Sequence, residues 1–119
     1  MQDTNFKDKL KKGLLEYCVL LCFKNKPMYS SELIEMLVNH DLITTEGTIY
    51  PLLSRLKRNE YLEYEWEESP SGPPRKYYKL TKAGESALNE YSNSYKELTK
   101  SLKLLMKGTD EKDRTSKSK

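Results

Sequence analysis

The period of the apolar residues changes twice along the chain, and that change limits the fold more than any single residue does. Ile49, Leu52, Leu53 and Leu56 recur at spacings of three and four, so the stretch around them is a helix packed on one face. Directly after Asn59, Leu62, Tyr64 and Trp66 alternate with Glu63, Glu65 and Glu67, the period of a half-buried strand. Trp66 then reads as a packing residue rather than a ligand platform. Residues Ser69-Pro70-Ser71-Gly72-Pro73-Pro74 have loop composition, and Arg75-Lys76-Tyr77-Tyr78-Lys79-Leu80 returns as a second strand. Thr81 caps a final helix that reaches about Met106. A strand hairpin set between helices predicts a mainly α, α+β fold.

Upstream, helical periodicity runs from Phe6 to Lys26, with a charged first half and an apolar second half; Pro27 closes it. Leu33, Ile34 and Leu37 mark a second helix of about eleven residues, from Tyr29 to near Asn39. After the connector His40 to Ile43, the stretch from Thr45 to Asn59 forms the next helix, with Thr45 or Thr44 as N-cap and Glu46 in the first turn. Pro51 removes a backbone donor and is expected to bend this helix near its middle. Two short helices joined by a brief connector form a helix-turn-helix, and the hairpin that follows is its wing.

The polar face of that helix carries Thr48, Tyr50, Ser54, Arg55 and Arg58. Hydroxyls donate or accept, and Arg presents a planar fork, a combination suited to phosphate oxygens and base edges. The outgoing wing strand is acidic, whereas Arg75, Lys76, Lys79 and Lys82 follow the loop, so the returning side reads as a phosphate grip. The expected DNA-contact set is Tyr29, Ser30, Thr45, Thr48, Tyr50, Ser54, Arg55, Arg58, Arg75 and Lys76. A winged-helix module used only for protein contacts is the alternative; such modules usually lose the basic residues that this chain keeps.

Along the final helix Leu88, Tyr91, Tyr95, Leu98, Leu102 and Leu105 follow a three-four heptad spacing, and a single seam on so long a helix needs another helix. A hydrophobic fraction of only 36% agrees with a core completed by a partner chain, so a homodimer is expected. The domain reading is 1–80 for the winged helix-turn-helix, 81–107 for the dimerisation helix and 108–119 for a charged, disordered tail. Two-fold symmetry in turn calls for an inverted-repeat operator on double-stranded DNA. Glu16, Tyr17 and Leu20 with Tyr91 and Tyr95 would surround a planar aromatic effector if the last helix packs on the first near the dimer axis. The plainer alternative is that these tyrosines only fill the interface.

Net charge is +3, so the placement of charge matters more than its total. Cys18 and Cys22 lie in an apolar run and read as buried thiols, not metal ligands; the only histidine, His40, has no partner at ligand spacing. No cofactor is expected, and no nucleophile-base pairing or Gly-rich phosphate loop suggests an enzyme. No apolar run matches a membrane span or signal peptide, which suggests a cytoplasmic protein.

Gly47-Thr48-Ile49-Tyr50-Pro51-Leu52-Leu53-Ser54-Arg55-Leu56 followed by Arg75-Lys76-Tyr77-Tyr78-Lys79-Leu80-Thr81-Lys82-Ala83-Gly84 resembles the PadR family of bacterial transcriptional regulators, over about Leu10 to Met106. The resemblance implies a winged helix-turn-helix, dimerisation through the C-terminal helix, and repression of genes for detoxification, efflux or stress responses. A single C-terminal helix resembles the smaller subgroup. The Pro-rich wing tip, Gly72-Pro73-Pro74, departs from the flexible, basic tip expected there.

Overall fold

The computed structural model describes residues 6–43 and 45–111. Thr44, the alternative cap, and residues 112–119 of the tail read as disordered lie outside the described residues. The elements are α1 (Phe6–Lys12), α2 (Leu15–Cys22), β1 (Met28–Tyr29), α3 (Ser30–Asn39), a 3-10 turn (Glu46–Thr48), α4 (Ile49–Arg58), β2 (Leu62–Ser69), β3 (Gly72–Leu80) and α5 (Lys82–Glu111). They form two compact units, 1–88 and 89–119.

In the first unit, Val19, Leu20, Phe23, Leu33, Leu37, Ile49, Leu53, Leu56, Leu62 and Met28 are buried together, so α2, α3, α4 and the base of the sheet enclose one core. The sheet order is β1-β3-β2, antiparallel throughout, with Leu62 opposite Leu80 and Tyr64 opposite Tyr78. This is the helix-rich α+β winged fold that the changes of period predict.

Four expectations need correction. The first helix is not continuous: Gly13 and Leu14 separate α1 from α2, as a glycine with little intrinsic helix preference allows. The extended pair Met28–Tyr29 precedes α3 and pairs with Tyr78 and Tyr77, a strand too short to show alternation in sequence. Pro51 causes no mid-helix bend, because α4 starts only at Ile49, after the 3-10 turn. Pro51 therefore sits in the first turn, where amide N–H groups have no intrahelical acceptor and a missing donor costs nothing. The wing loop is also tighter than its composition suggests: only Pro70 and Ser71 separate the strands. Glu67 lies opposite Arg75 and Ser69 opposite Gly72, so β3 carries one extra residue at Pro73-Pro74, a bulge in which proline interrupts no ladder bond.

Helices α3 and α4 end alike. Asp41 and Glu60 take positive φ, 60° and 66°, while Leu42 N–H donates to Leu37 O and Tyr61 N–H to Leu56 O. These are Schellman closures with a non-glycine residue in the left-handed position. Glu60→Gly is accordingly expected to stabilise the fold by about 0.5 to 1 kcal/mol, read as a higher urea midpoint with an unchanged slope.

The start of α5 is fixed to the first unit by Thr81, whose hydroxyl accepts from Gly84 N–H at 2.9 Å and donates to Glu60 O at 2.6 Å. Leu88, placed by heptad spacing at the head of the dimer seam, is instead only 4% exposed and belongs to the core of the first unit. The last helix extends through Glu111, so residues 108–111 are helical rather than the start of a disordered tail.

Candidate nucleic-acid interface

Helix α4 turns Ile49, Leu52, Leu53 and Leu56 into the core, which leaves Tyr50, Pro51, Ser54, Arg55, Lys57 and Arg58 outside. Tyr50, Ser54 and Arg58 are spaced i, i+4 and i+8 and form one exposed strip, with Tyr50 49% accessible. Thr45 and Thr48 lie before the helix, in and beside the 3-10 turn, and neither caps it through its side chain. The Thr48 hydroxyl turns back to donate to Thr45 O at 3.3 Å.

Arg55 occupies the flank toward α2, where Nη2 meets Glu16 Oε1 at 3.1 Å. The pair joins α4 to α2 and holds the guanidinium to one side of the exposed strip. Of the proposed effector set, Glu16 is therefore engaged with Arg55, Leu20 is fully buried in the core and offers no surface to a ligand, and Tyr17 is half-buried on α2. Tyr91 and Tyr95 belong to the second unit.

Tyr29 and the wing form a built cluster. The Tyr29 phenol donates to Glu67 Oε1 at 2.9 Å, its ring lies 4.8 Å from that of Tyr77, and the Arg75 guanidinium covers it at 3.9 Å. The hydrogen bond to Glu67 raises the phenol pKa above its ordinary value and keeps Tyr29 a neutral donor. Glu67 and Arg75 face each other across the wing, so a residue at the start of α3 orients both. Ser30 follows, half-buried in the first turn of α3, where Glu32 Oε1 accepts from Tyr29 N–H at 2.9 Å.

On the other face of the wing, Lys76 Nζ stands 4.6 Å from the Tyr64 ring and 5.4 Å from the Trp66 ring, while Lys57 of α4 reaches Tyr64 at 5.5 Å. Trp66 is 62% exposed. The packing role expected for it is thus corrected: alternation put it on the core face of β2, but by Trp66 the strand has left the core. Sequence reasoning also passed over Lys57, which lies seven residues after Tyr50 and hence on the same side of α4.

Cys18 and Cys22 are free, half-buried thiols; burial pushes Cys22 up to about 11, which suppresses the thiolate needed for metal binding or nucleophilic attack. Among the described residues no group of three or more His, Cys, Asp or Glu side chains is placed to hold a metal ion, and no helix is long and apolar enough to cross a membrane.

The transcriptional regulator PadR-like family matches residues 19–90, from the second helix into α5. A PadR-like transcription factor from Bacteroides fragilis is 50% identical, over 86% of this chain and 99% of its own, with a TM-score of 0.72. The chain belongs to the PadR-like family of transcriptional regulators. A PadR-like regulator from Bacillus cereus is 34% identical over 84% of this chain and 98% of its own, with a TM-score of 0.73. Bacillus subtilis PadR, solved in complex with operator DNA, shares the fold at 17% identity over 66% of this chain and 46% of its own, with a TM-score of 0.60. In this PadR-like regulator, the exposed strip of α4 and the cationic wing are contributed by one compact unit, both supported by the core that the family match spans.

Proposed function

We propose that the chain is a homodimeric repressor that binds an inverted-repeat operator in double-stranded DNA, of the kind that controls detoxification, efflux or stress genes. Helix α4 enters the major groove, and the wing holds the adjacent backbone or minor groove. The observation that carries this reading is the Tyr50-Ser54-Arg58 strip, exposed on a helix whose opposite face is buried, in the same compact unit as the wing cations Arg75 and Lys76. That Bacillus subtilis PadR, which shares the fold, is solved in complex with operator DNA supports a DNA-binding role. Sequencing the genomic fragments that the purified protein selects tests the reading: recovery of a shared inverted repeat is expected, and an unenriched pool would overturn it.

The two parts of the interface should respond differently to substitution. Tyr50→Ala is expected to narrow the gap between operator and random DNA by about 1 to 3 kcal/mol, because it removes a base contact. Arg75→Gln should weaken binding to both alike and lower the slope of log affinity against log salt by about one unit, as a phosphate contact does. Titrations of both variants over a range of salt concentrations separate the two roles.

A further inference from the structure

Around Lys76, the wing brings together three residues that have no part in the DNA-contact set: Lys57, Tyr64 and Trp66. Two ammonium groups from different elements, Lys57 on α4 and Lys76 on β3, reach the same Tyr64 ring at 5.5 and 4.6 Å. They are no farther apart than the sum of those distances, about one Debye length at moderate salt, so their repulsion is only partly screened. Tyr64 meets Trp66 edge to face at 6.0 Å, and Lys76 also stands over the indole. A single exposed aromatic on a surface needs no explanation. An exposed indole with one lysine over it, next to a tyrosine ring that this lysine shares with a second one from α4, is a different arrangement.

Resting on the DNA-binding reading above, we infer that Lys57, Tyr64, Lys76 and Trp66 form a notch for the DNA backbone, in which one phosphate lies between the two ammonium groups and the neighbouring deoxyribose packs on Trp66. An anion between the lysines relieves their repulsion. The Tyr64 ring favours cations on its faces and keeps both lysines oriented before DNA arrives. The indole offers a broad apolar surface with few rotatable bonds, suited to a sugar ring. Because none of these groups reads a base edge, the notch acts on any sequence and sets how the wing sits relative to the recognition helix.

Trp66 is the only tryptophan in the chain, so its emission reports on the notch directly. The full-length protein is titrated with a fluorescein-labelled, mixed-sequence DNA duplex at low salt. Anisotropy follows binding, and acrylamide quenching of the indole follows access to Trp66. Binding is expected to reduce acrylamide access. Lys57→Gln and Lys76→Gln should each lower the salt slope by about one unit, whereas Lys24→Gln, exposed on the segment after α2, should leave it unchanged. Trp66→Phe should keep the slope and weaken binding. If the duplex binds but acrylamide access stays constant and Lys57→Gln behaves like Lys24→Gln, the notch is overturned while DNA binding stands. If the wild-type protein binds no duplex even at low salt, the DNA-binding reading falls and the notch with it.

Discussion

Gly84→Ala is expected to destabilise the protein by about 3 kcal/mol or more, a loss of more than roughly 10 °C in Tm for a domain of this size. A methyl group added at Gly84 would stand 2.1 Å from the Tyr61 carbonyl oxygen and 2.9 Å from Leu80 Cδ1. Leu80 can rotate away, but the carbonyl cannot, because it accepts from Thr81 N–H at 3.1 Å. Thr81 is also the residue whose hydroxyl holds Gly84 N–H and Glu60 O. Moving Tyr61 aside therefore disturbs the whole junction at which the wing returns and α5 begins, where several hydrogen bonds share few atoms. Gly13→Ala is the control: nothing lies within 4 Å of the added methyl, so it should be neutral or stabilising by up to about 1 kcal/mol. Urea denaturation of the three proteins decides the matter. A Gly84→Ala loss below about 1 kcal/mol would mean that the α5 junction yields more easily than its hydrogen bonds suggest.

What could be read from the sequence was whatever depends on the period of one segment. The buried face of α4 is Ile49, Leu52, Leu53 and Leu56, as their spacing says, and Thr81 does accept from Gly84 N–H at the start of α5. What could not be read depends on where a segment begins, or on what stands across from it. Pro51 looks disruptive until the 3-10 turn shifts the helix start to Ile49. Trp66 lies on the core face of β2, but nothing in the alternation reveals how far the core extends along the strand. The Tyr29–Glu67 hydrogen bond links residues 38 positions apart and depends on the two-residue strand β1, which carries no periodic signal. In the candidate interface, the strip Tyr50, Ser54 and Arg58 follows from helix geometry alone. The bracing of Arg55 by Glu16 and the approach of Lys57 to Tyr64 require the tertiary structure.

Leu98→Glu combined with Leu102→Glu is expected to convert the proposed homodimer to a monomer and to abolish tight operator binding. Leu98, Leu102 and Leu105 are 54%, 47% and 63% exposed on α5, in a run that also exposes Leu104. Leucine at spacings of four and three on one helix makes a stripe that water disfavours, and a second copy of the same helix can cover it with matching knobs and holes. Each buried leucine contributes about 1.5 to 3 kcal/mol, so two carboxylates placed in the seam should weaken association by at least a hundredfold. Sedimentation velocity would show the change directly, and the winged unit should stay folded because neither position belongs to its core. For DNA binding the effect is larger than the lost contacts suggest. In a dimer, once one α4 occupies its half-site, the second meets its own at a high effective concentration; a monomer loses that advantage, about 10²- to 10⁴-fold in affinity. Half-sites should then be separated by about one helical turn of 10 base pairs or a multiple of it, the spacing that a two-fold dimer imposes. A double variant that sediments as a dimer and still protects both half-sites would place the interface on another surface and leave the α5 stripe without a role in assembly.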